Sequence, residues 1–329
     1  MNMIEKNYLC FEETENGVYR DGSLIRFSEQ ITHDPGKIDT SLIVTNFNRA
    51  NTIQSAIESA LACTQEKGGL EIIVVDDAST DESLEILRKM AKNRLIQLIA
   101  LQKNTGSEAL PKNIAAFFAR GQYLSYLDSD DRIGERDAFD SSLKAITEDP
   151  SAVMTVSNLI FEIHCKISEL EKHMPWLLEI DTHEPTEEIR DPRANEYRIR
   201  KAKEYSSYEM LTHGYYDALK LMRRDIFSQT GGVVEDLESC GDFGTYLRLT
   251  RHGRVIPVQR DFYVYTIHGS NDSFYSDEKA QRLERLHRQF ALEEIRKRGL
   301  TFEDLSRNCP TEFWVRYNFT PDEIQNGNS

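Results

Sequence analysis

Between Thr40 and Leu127, short apolar runs of strand length alternate with amphipathic stretches. Leu42-Ile43-Val44, Ile72-Ile73-Val74-Val75, Leu95 to Leu101 and Tyr123-Leu124-Ser125-Tyr126-Leu127 are nearly continuous in apolar residues, the pattern of strands covered on both faces. Between the first two, Ile53, Ala56, Ile57, Ala60 and Leu61 recur at helical spacing and form one apolar stripe. The next helix is expected to open with a capping box, Ser79 with Glu82, and to set Leu84, Leu87 and Ala91 on a common side. A third is expected to start near Pro111 and to stop at Gly121. This alternation predicts an α/β protein with a mostly parallel, Rossmann-like central sheet and helices on both faces.

The flanks read differently. Asn16-Gly17 and Asp21-Gly22 are turn signals between short apolar runs, predicting a small hairpin within an N-terminal extension, residues 1–37. Val153 to Ile163 reads as a further strand, followed by a charged excursion at 164–205, part helix and part loop. Regular patterning returns with Ala218 to Met222, a helix around Phe243 to Leu249, and strand-like Val255 to Ile267. Ser276 is placed as the cap of a long helix with Leu283, Leu286 and Phe290 on one face, ending at Gly299. The main domain is therefore expected at 38–275, with halves at 38–132 and 133–275, before a C-terminal helical extension at 276–329 with a frayed end.

Composition narrows the function. The 329 residues are 39% hydrophobic and 29% charged, ordinary for a soluble globular chain. A formal net charge of -15 repels phosphate backbones, so neither nucleic acid nor an anionic membrane is an expected partner. No apolar run approaches the roughly 20 residues that span a bilayer, and the acidic N-terminus lacks the pattern of a signal peptide. A cytoplasmic protein is expected. Five scattered cysteines (Cys10, Cys63, Cys165, Cys240, Cys309), with no Cys-x-x-Cys pair, argue against a disulfide framework and a zinc site.

In open parallel sheets, ligands bind outside the carboxyl ends of the strands. The first strand is followed by Thr45-Asn46-Phe47-Asn48-Arg49, the second by Asp76-Asp77, and the fourth by Asp128-Ser129-Asp130-Asp131. The chain has neither a Gly-x-Gly turn nor a Gly-Lys-Ser/Thr phosphate loop. A carboxylate-held cation is the remaining simple way for so acidic a protein to hold a diphosphate.

The run Ser41 to Arg49 resembles the opening strand of family 2 glycosyltransferases, and Val74 to Asp81 resembles the end of their second strand. Asn104-Thr105-Gly106 with Lys112-Asn113, then Tyr126 to Asp131, are similar to the family's next two motifs in order and spacing. The resemblance implies a GT-A fold, a nucleotide-binding half at 38–132, and an acceptor half at 133–275. It implies inverting transfer of a sugar from a nucleotide diphospho-sugar, UDP-linked by expectation, to a hydroxyl of a carbohydrate or glycoconjugate acceptor. Thr45, Asn46, Phe47, Arg49, Asp77, Lys112, Asp128 and Ser129 would contact the nucleotide-sugar, with Asp77 facing the base and Asp128 the ribose. Asp130 would bind Mn²⁺ or Mg²⁺, with Asp131 a loop or supporting residue. Gly241-Asp242-Phe243 resembles the acceptor-side motif, with Gly241 where the family usually has glutamate and Asp242 as the base. Glu235, Asp236 and Glu238 are alternative bases. Lys112 stands where arginine is usual, and His268 is either a further metal ligand or a structural histidine. Two other readings are a silent nucleotide-binding module, favoured by Gly241, and a sugar nucleotidyltransferase, which would want a glycine-rich basic loop.

Overall fold

The computed structural model of the chain describes residues 6–34, 36–63, 69–211, 218–235, 241–268, 271 and 277–325. Its nucleus is the expected alternation: β4 (Thr40–Asn46), α1 (Ile53–Leu61), β5 (Leu70–Asp76), α2 (Ser83–Lys92), β6 (Gln97–Leu101), α3 (Ala109–Phe118) and β7 (Tyr123–Asp128). These strands lie side by side as β6-β5-β4-β7, all parallel. Only Thr45 on β4, Leu70 on β5 and Asp128 on β7 escape full burial, which is why the apolar runs are nearly continuous. The register pairs Asn46 with Asp76 and Thr45 with Asp128, so three strands end together at one edge.

Two helix starts differ from expectation. There is no capping box on α2: it begins at Ser83, and Ser79 instead donates its hydroxyl to Asp76 Oδ2 at 2.7 Å within the preceding turn. The third helix, α3, begins at Ala109, ahead of Pro111, and ends at Phe118, short of Gly121. The N-terminal turns are where the sequence puts them, with Asp21 and Gly22 both at positive φ (50° and 81°), as a type I′ turn demands. They join three strands rather than one hairpin: β1 (Glu12–Thr14), β2 (Gly17–Arg20) and β3 (Ser23–Ile31). Because β3 pairs antiparallel with β6, this meander extends the central sheet.

The second half comprises β8 (Arg132–Ile133), α4 (Ala138–Glu148), β9 (Ala152–Ile163), α5 (Ile167–His173), β10 (Glu196–Arg200), β11 (Lys220–Arg223), α6 (Arg224–Gln229), α7 (Gly241–Leu249) and β12 (Arg254–Ile267). The wholly buried β9 first runs between β11 and β12, then between β10 and β12. A register shift between Val258 and Tyr263 bends β12 midway, and its second half carries β8. The whole sheet is therefore mixed, with the expected parallel strands at its centre. Among the described residues, only the β6-β5-β4-β7 block and the β9–β12 pair are parallel. In the charged excursion, β10 is a strand that charge obscured, since Glu196, Arg198 and Arg200 alternate with Tyr197 and Ile199.

The C-terminal part is helical as expected: α8 (Asp277–Lys297), α9 (Phe302–Asn308), α10 (Thr311–Tyr317) and α11 (Pro321–Gln325). Gly299, at φ +66°, closes α8: its N–H reaches Arg296 O and that of Leu300 reaches Ile295 O (3.0 and 3.1 Å). The expected cap Ser276 and the frayed end lie outside the described residues. At the other terminus, Tyr8 N–H donates to Gly231 O at 2.7 Å and Arg248 Nη2 donates to Lys6 O at 2.7 Å, tying the first residues to the second half. No helix among the described residues is long and apolar enough to cross a membrane.

Candidate active site

The turn after β4 is built on buried polar groups. Asn46 donates its amide to Asp76 Oδ2 (2.8 Å) and to Ser79 Oγ (3.2 Å), and Ser79 Oγ accepts the Asn48 N–H (2.9 Å). This lock holds Asn48 and Ala78 at positive φ (52° and 61°), a costly conformation that persists only when its surroundings over-determine it. Asn46, 2% exposed, gives its amide nitrogen to the turn. The benefit of the lock falls on its neighbours. Phe47 is thrust out, 43% exposed, and Arg49 reaches across to Asp130, Nε to Oδ2 3.2 Å.

Asp77 lies at the end of β5, 5% exposed, where it accepts the Thr105 N–H (2.9 Å) and hydroxyl (2.9 Å). Burial raises its pKa, the Thr105 hydrogen bonds oppose the rise, and the charge of Asp76 adds to it. Asn104-Thr105-Gly106 is therefore the partner of Asp77, which couples the second and third strand ends.

The acidic run after β7 divides in two. Asp130 Oδ2 is approached by Arg49 and, at 3.3 Å, by His268 Nε2. Burial works to raise Asp130, but the hydrogen bond from His268 and the charge of Arg49 outweigh it and leave it below the usual carboxylate range. Asp131 turns inward instead, 3% exposed, accepting the Tyr263 hydroxyl (2.7 Å) and the Thr266 N–H (2.8 Å). Burial, with Asp128 and Asp130 adding, pushes it well above the ordinary range. Asp128 touches the same tyrosine, Oδ2 to Oη 3.3 Å, and Ser129 between them is buried. Tyr263 thus fixes this loop to the second half of the chain.

Lys112 is 2% exposed, its Nζ 3.0 Å from Glu108 Oε2, 3.6 Å from Asp242 Oδ1 and 5.2 Å from the centroid of Tyr126. Burial opposes its charge, but Asp242, Glu108 and Asp128 more than offset that and hold its pKa well above normal. Asp242 is the second residue of α7, where the helix N-terminus also favours an anion. Burial would raise Asp242; Lys112 and then Lys220, 4% exposed on β11, overcome it and keep it below the usual range. Glu108 is the reverse case. Desolvation, with Asp128 and Asp242 adding against Lys112, pushes it up to about 7.

Of the alternative bases, Glu235 is engaged by Arg20 through both oxygens (2.6 and 2.8 Å) and by the Asn113 amide (2.8 Å). It therefore braces the meander against α3. Asp236 and Glu238 lie outside the described residues. Gly241 has a steric reason: a Cβ there would stand 2.6 Å from Val234 O, so the family's glutamate does not fit this backbone. Sequence reading missed Glu108, Lys220 and Tyr263 as site residues. The i, i+4 spacing of Glu108 and Lys112 and the lone charge at Lys220 in an apolar run were usable signals. For Tyr263 none existed.

The structure thus gathers Thr45, Phe47, Arg49, Asp77, Asp128, Ser129, Asp130 and His268 at one sheet edge, with Lys112 and Asp242 beneath. The family model described as Glycosyl transferase family 2 matches residues 41–231, more than half of the chain. Chondroitin synthase of Pasteurella multocida (strain Pm70) is 26% identical over 234 residues, 71% of this chain and 21% of that protein. The succinoglycan biosynthesis protein ExoO of Rhizobium meliloti (strain 1021) is 40% identical over 95 residues, 29% of this chain and 26% of that one. The chain spans about a fifth of the length of the first relatives it matches. Among solved structures, S. aureus TarS 1-349 in complex with UDP-GlcNAc shares the fold, with a TM-score of 0.58, 18% identity, and 86% of this chain and 74% of that one covered. By the extent of the family match, this chain is a member of glycosyl transferase family 2.

Proposed function

We propose that the chain transfers a sugar, with inversion, from a UDP-sugar to a hydroxyl of a growing polysaccharide or glycoconjugate. The observation that carries this is the pairing of two built clusters at one sheet edge: Asp130 with His268 and Arg49, and Asp242 with Lys112. Relatives named as glycan-forming enzymes, and a fold neighbour solved with UDP-GlcNAc, support the donor class and the setting.

In this reading the base stacks near the exposed Phe47, and Asp77 accepts its ring N–H. Asp128 holds the ribose, and Arg49 approaches the diphosphate. A cation fits the donor set of Asp130 and His268, an oxygen and a nitrogen converging within 3.3 Å of each other. An imidazole beside a carboxylate favours Mn²⁺ over the oxygen-seeking Mg²⁺. When bound, the ion supplies Lewis acidity that stabilises charge on the departing diphosphate. Asp242, ionised through Lys112 and Lys220, takes the proton from the acceptor hydroxyl. The freed oxygen attacks the anomeric carbon from the face opposite the diphosphate, whose bond breaks with its electron pair. Gly241, the feature that favoured a silent module, is accounted for by the close Val234 carbonyl.

The test is calorimetric titration of UDP with and without Mn²⁺, then NMR of the product's anomeric configuration. Binding that ignores the metal, absent binding, or retained configuration would each refute the proposal.

A further inference from the structure

Trp176 stands on a 3-10 turn, Pro175–Glu179, in the charged excursion, and 43% of its surface is exposed. The turn itself is firmly held. Arg198 donates Nη1 to the carbonyls of Leu177, Leu178 and Ile180 (3.2, 2.8 and 2.7 Å), and Leu177 is fully buried. The indole meets Phe161 edge-on, centroids 5.7 Å apart at 72°, and Phe161 meets Tyr265 in the same way at 6.0 Å and 70°. An exposed tryptophan on so anchored a turn is a presented surface.

The strand register links this surface to the acidic loop. Phe161 pairs with Tyr265, and Leu159 pairs with Tyr263. Side chains two apart on a strand share a face, so Tyr263 and Tyr265 stand together, about 6.6 Å apart along β12. Tyr263 holds Asp131, and three residues beyond Tyr265, His268 reaches Asp130. Ring contacts therefore lead from the exposed Trp176 through Phe161, itself 2% exposed, to Tyr265, which is close in the chain to the Tyr263 and His268 that hold the carboxylates. The Arg200 guanidinium lies 5.7 Å from the Phe161 centroid.

We propose that Trp176, backed by Phe161 and Tyr265, is an acceptor subsite on which a pyranose ring of the acceptor glycan stacks, a sugar removed from the reacting hydroxyl. A pyranose has an apolar C–H face, and a rigid indole offers it a large contact area at low entropic cost. The proposal rests on the glycosyl-transfer reading above.

The chain has two tryptophans, and Trp314 packs against Phe302 and Phe313 in the C-terminal helices, so Trp314→Phe leaves Trp176 as the sole emitter. That variant, saturated with UDP and Mn²⁺, is titrated with chitotetraose, cellotetraose and a hyaluronan tetrasaccharide. At least one is expected to shift the emission of Trp176. In an otherwise wild-type chain, Trp176→Ala should weaken its calorimetric Kd roughly ten-fold or more, Trp176→Phe should recover most of the loss, and UDP affinity should hold. Unchanged emission with all three sugars, or a wild-type Kd in Trp176→Ala, overturns the subsite. Loss of UDP binding in the unaltered protein would instead overturn the underlying reading.

Discussion

Replacing Lys112 with methionine removes the buried ammonium while keeping most of the side-chain volume. At 3.6 Å from Asp242 Oδ1, the attraction is about 4.6 kcal/mol at an effective dielectric of about 20. The Asp242 side chain is 36% exposed, so solvent screening cuts this to about a third, ~1.5 kcal/mol, or about one pKa unit. The base must be ionised, so kcat/KM falls as pH drops through the Asp242 pKa, which Lys112 depresses. In Lys112→Met that pKa rises, and the acid limb of the pH–rate profile should move about one unit towards alkaline pH. UDP affinity, measured by calorimetry, should change little, because Lys112 is 2% exposed and held between Glu108 and Asp242. An acid limb that stays in place while turnover persists would refute either the base assignment or the pairing. A large loss of UDP affinity would instead support the nucleotide-sugar contact that the sequence suggested for Lys112.

Three further outcomes follow from the same geometry. Asp130→Ala should abolish the Mn²⁺-dependent part of UDP binding in calorimetry while leaving the thermal midpoint of the free protein within a few degrees. Glu108, raised to about 7 from an ordinary 4.5, contributes stability that is present below about pH 4.5 and lost as pH rises through about 7. Urea titrations of wild type and Glu108→Gln should therefore diverge across that window, with the variant gaining on wild type towards high pH. Arg20→Ala strands the Glu235 carboxylate, 17% exposed, with only the Asn113 amide. It should cost about 2–3 kcal/mol in urea unfolding, and an unchanged midpoint would show that the meander does not brace the half that carries Asp242.

Much of the site was legible because the chemistry sits at fixed places in a repetitive fold. Continuous apolar runs named β4, β5, β6 and β7, and the residues at or just past their ends include Thr45, Phe47, Asp77, Asp128 and Asp130. Local spacing reached that far and no further. Ser79 and Glu82 have the spacing of a capping box, yet the Asp76 carboxylate is nearer to the Ser79 hydroxyl and takes it. Asn46 lies in the motif, and only the structure shows its amide nitrogen given to Asp76 and Ser79 inside the turn. The charged strand β10 escaped notice because Glu196, Arg198 and Arg200 alternate with Tyr197 and Ile199 and leave only two apolar positions in five.

By itself, then, the sequence determined the parallel nucleus, the acidic strand end, the Asp242 motif and the C-terminal helices, since each depends on periodicity or on residues close together in the chain. Tertiary structure alone decided the partners. Tyr263 reaches Asp131 from 132 positions away, Arg20 reaches Glu235 across 215, and Lys112 meets Asp242 only because α3 and α7 converge beneath the sheet edge. Side-chain charge can be read one residue at a time. Whether a carboxylate is a metal ligand, a proton acceptor or a brace depends on which groups the fold brings within about 4 Å of it, and that is set by packing, not by spacing.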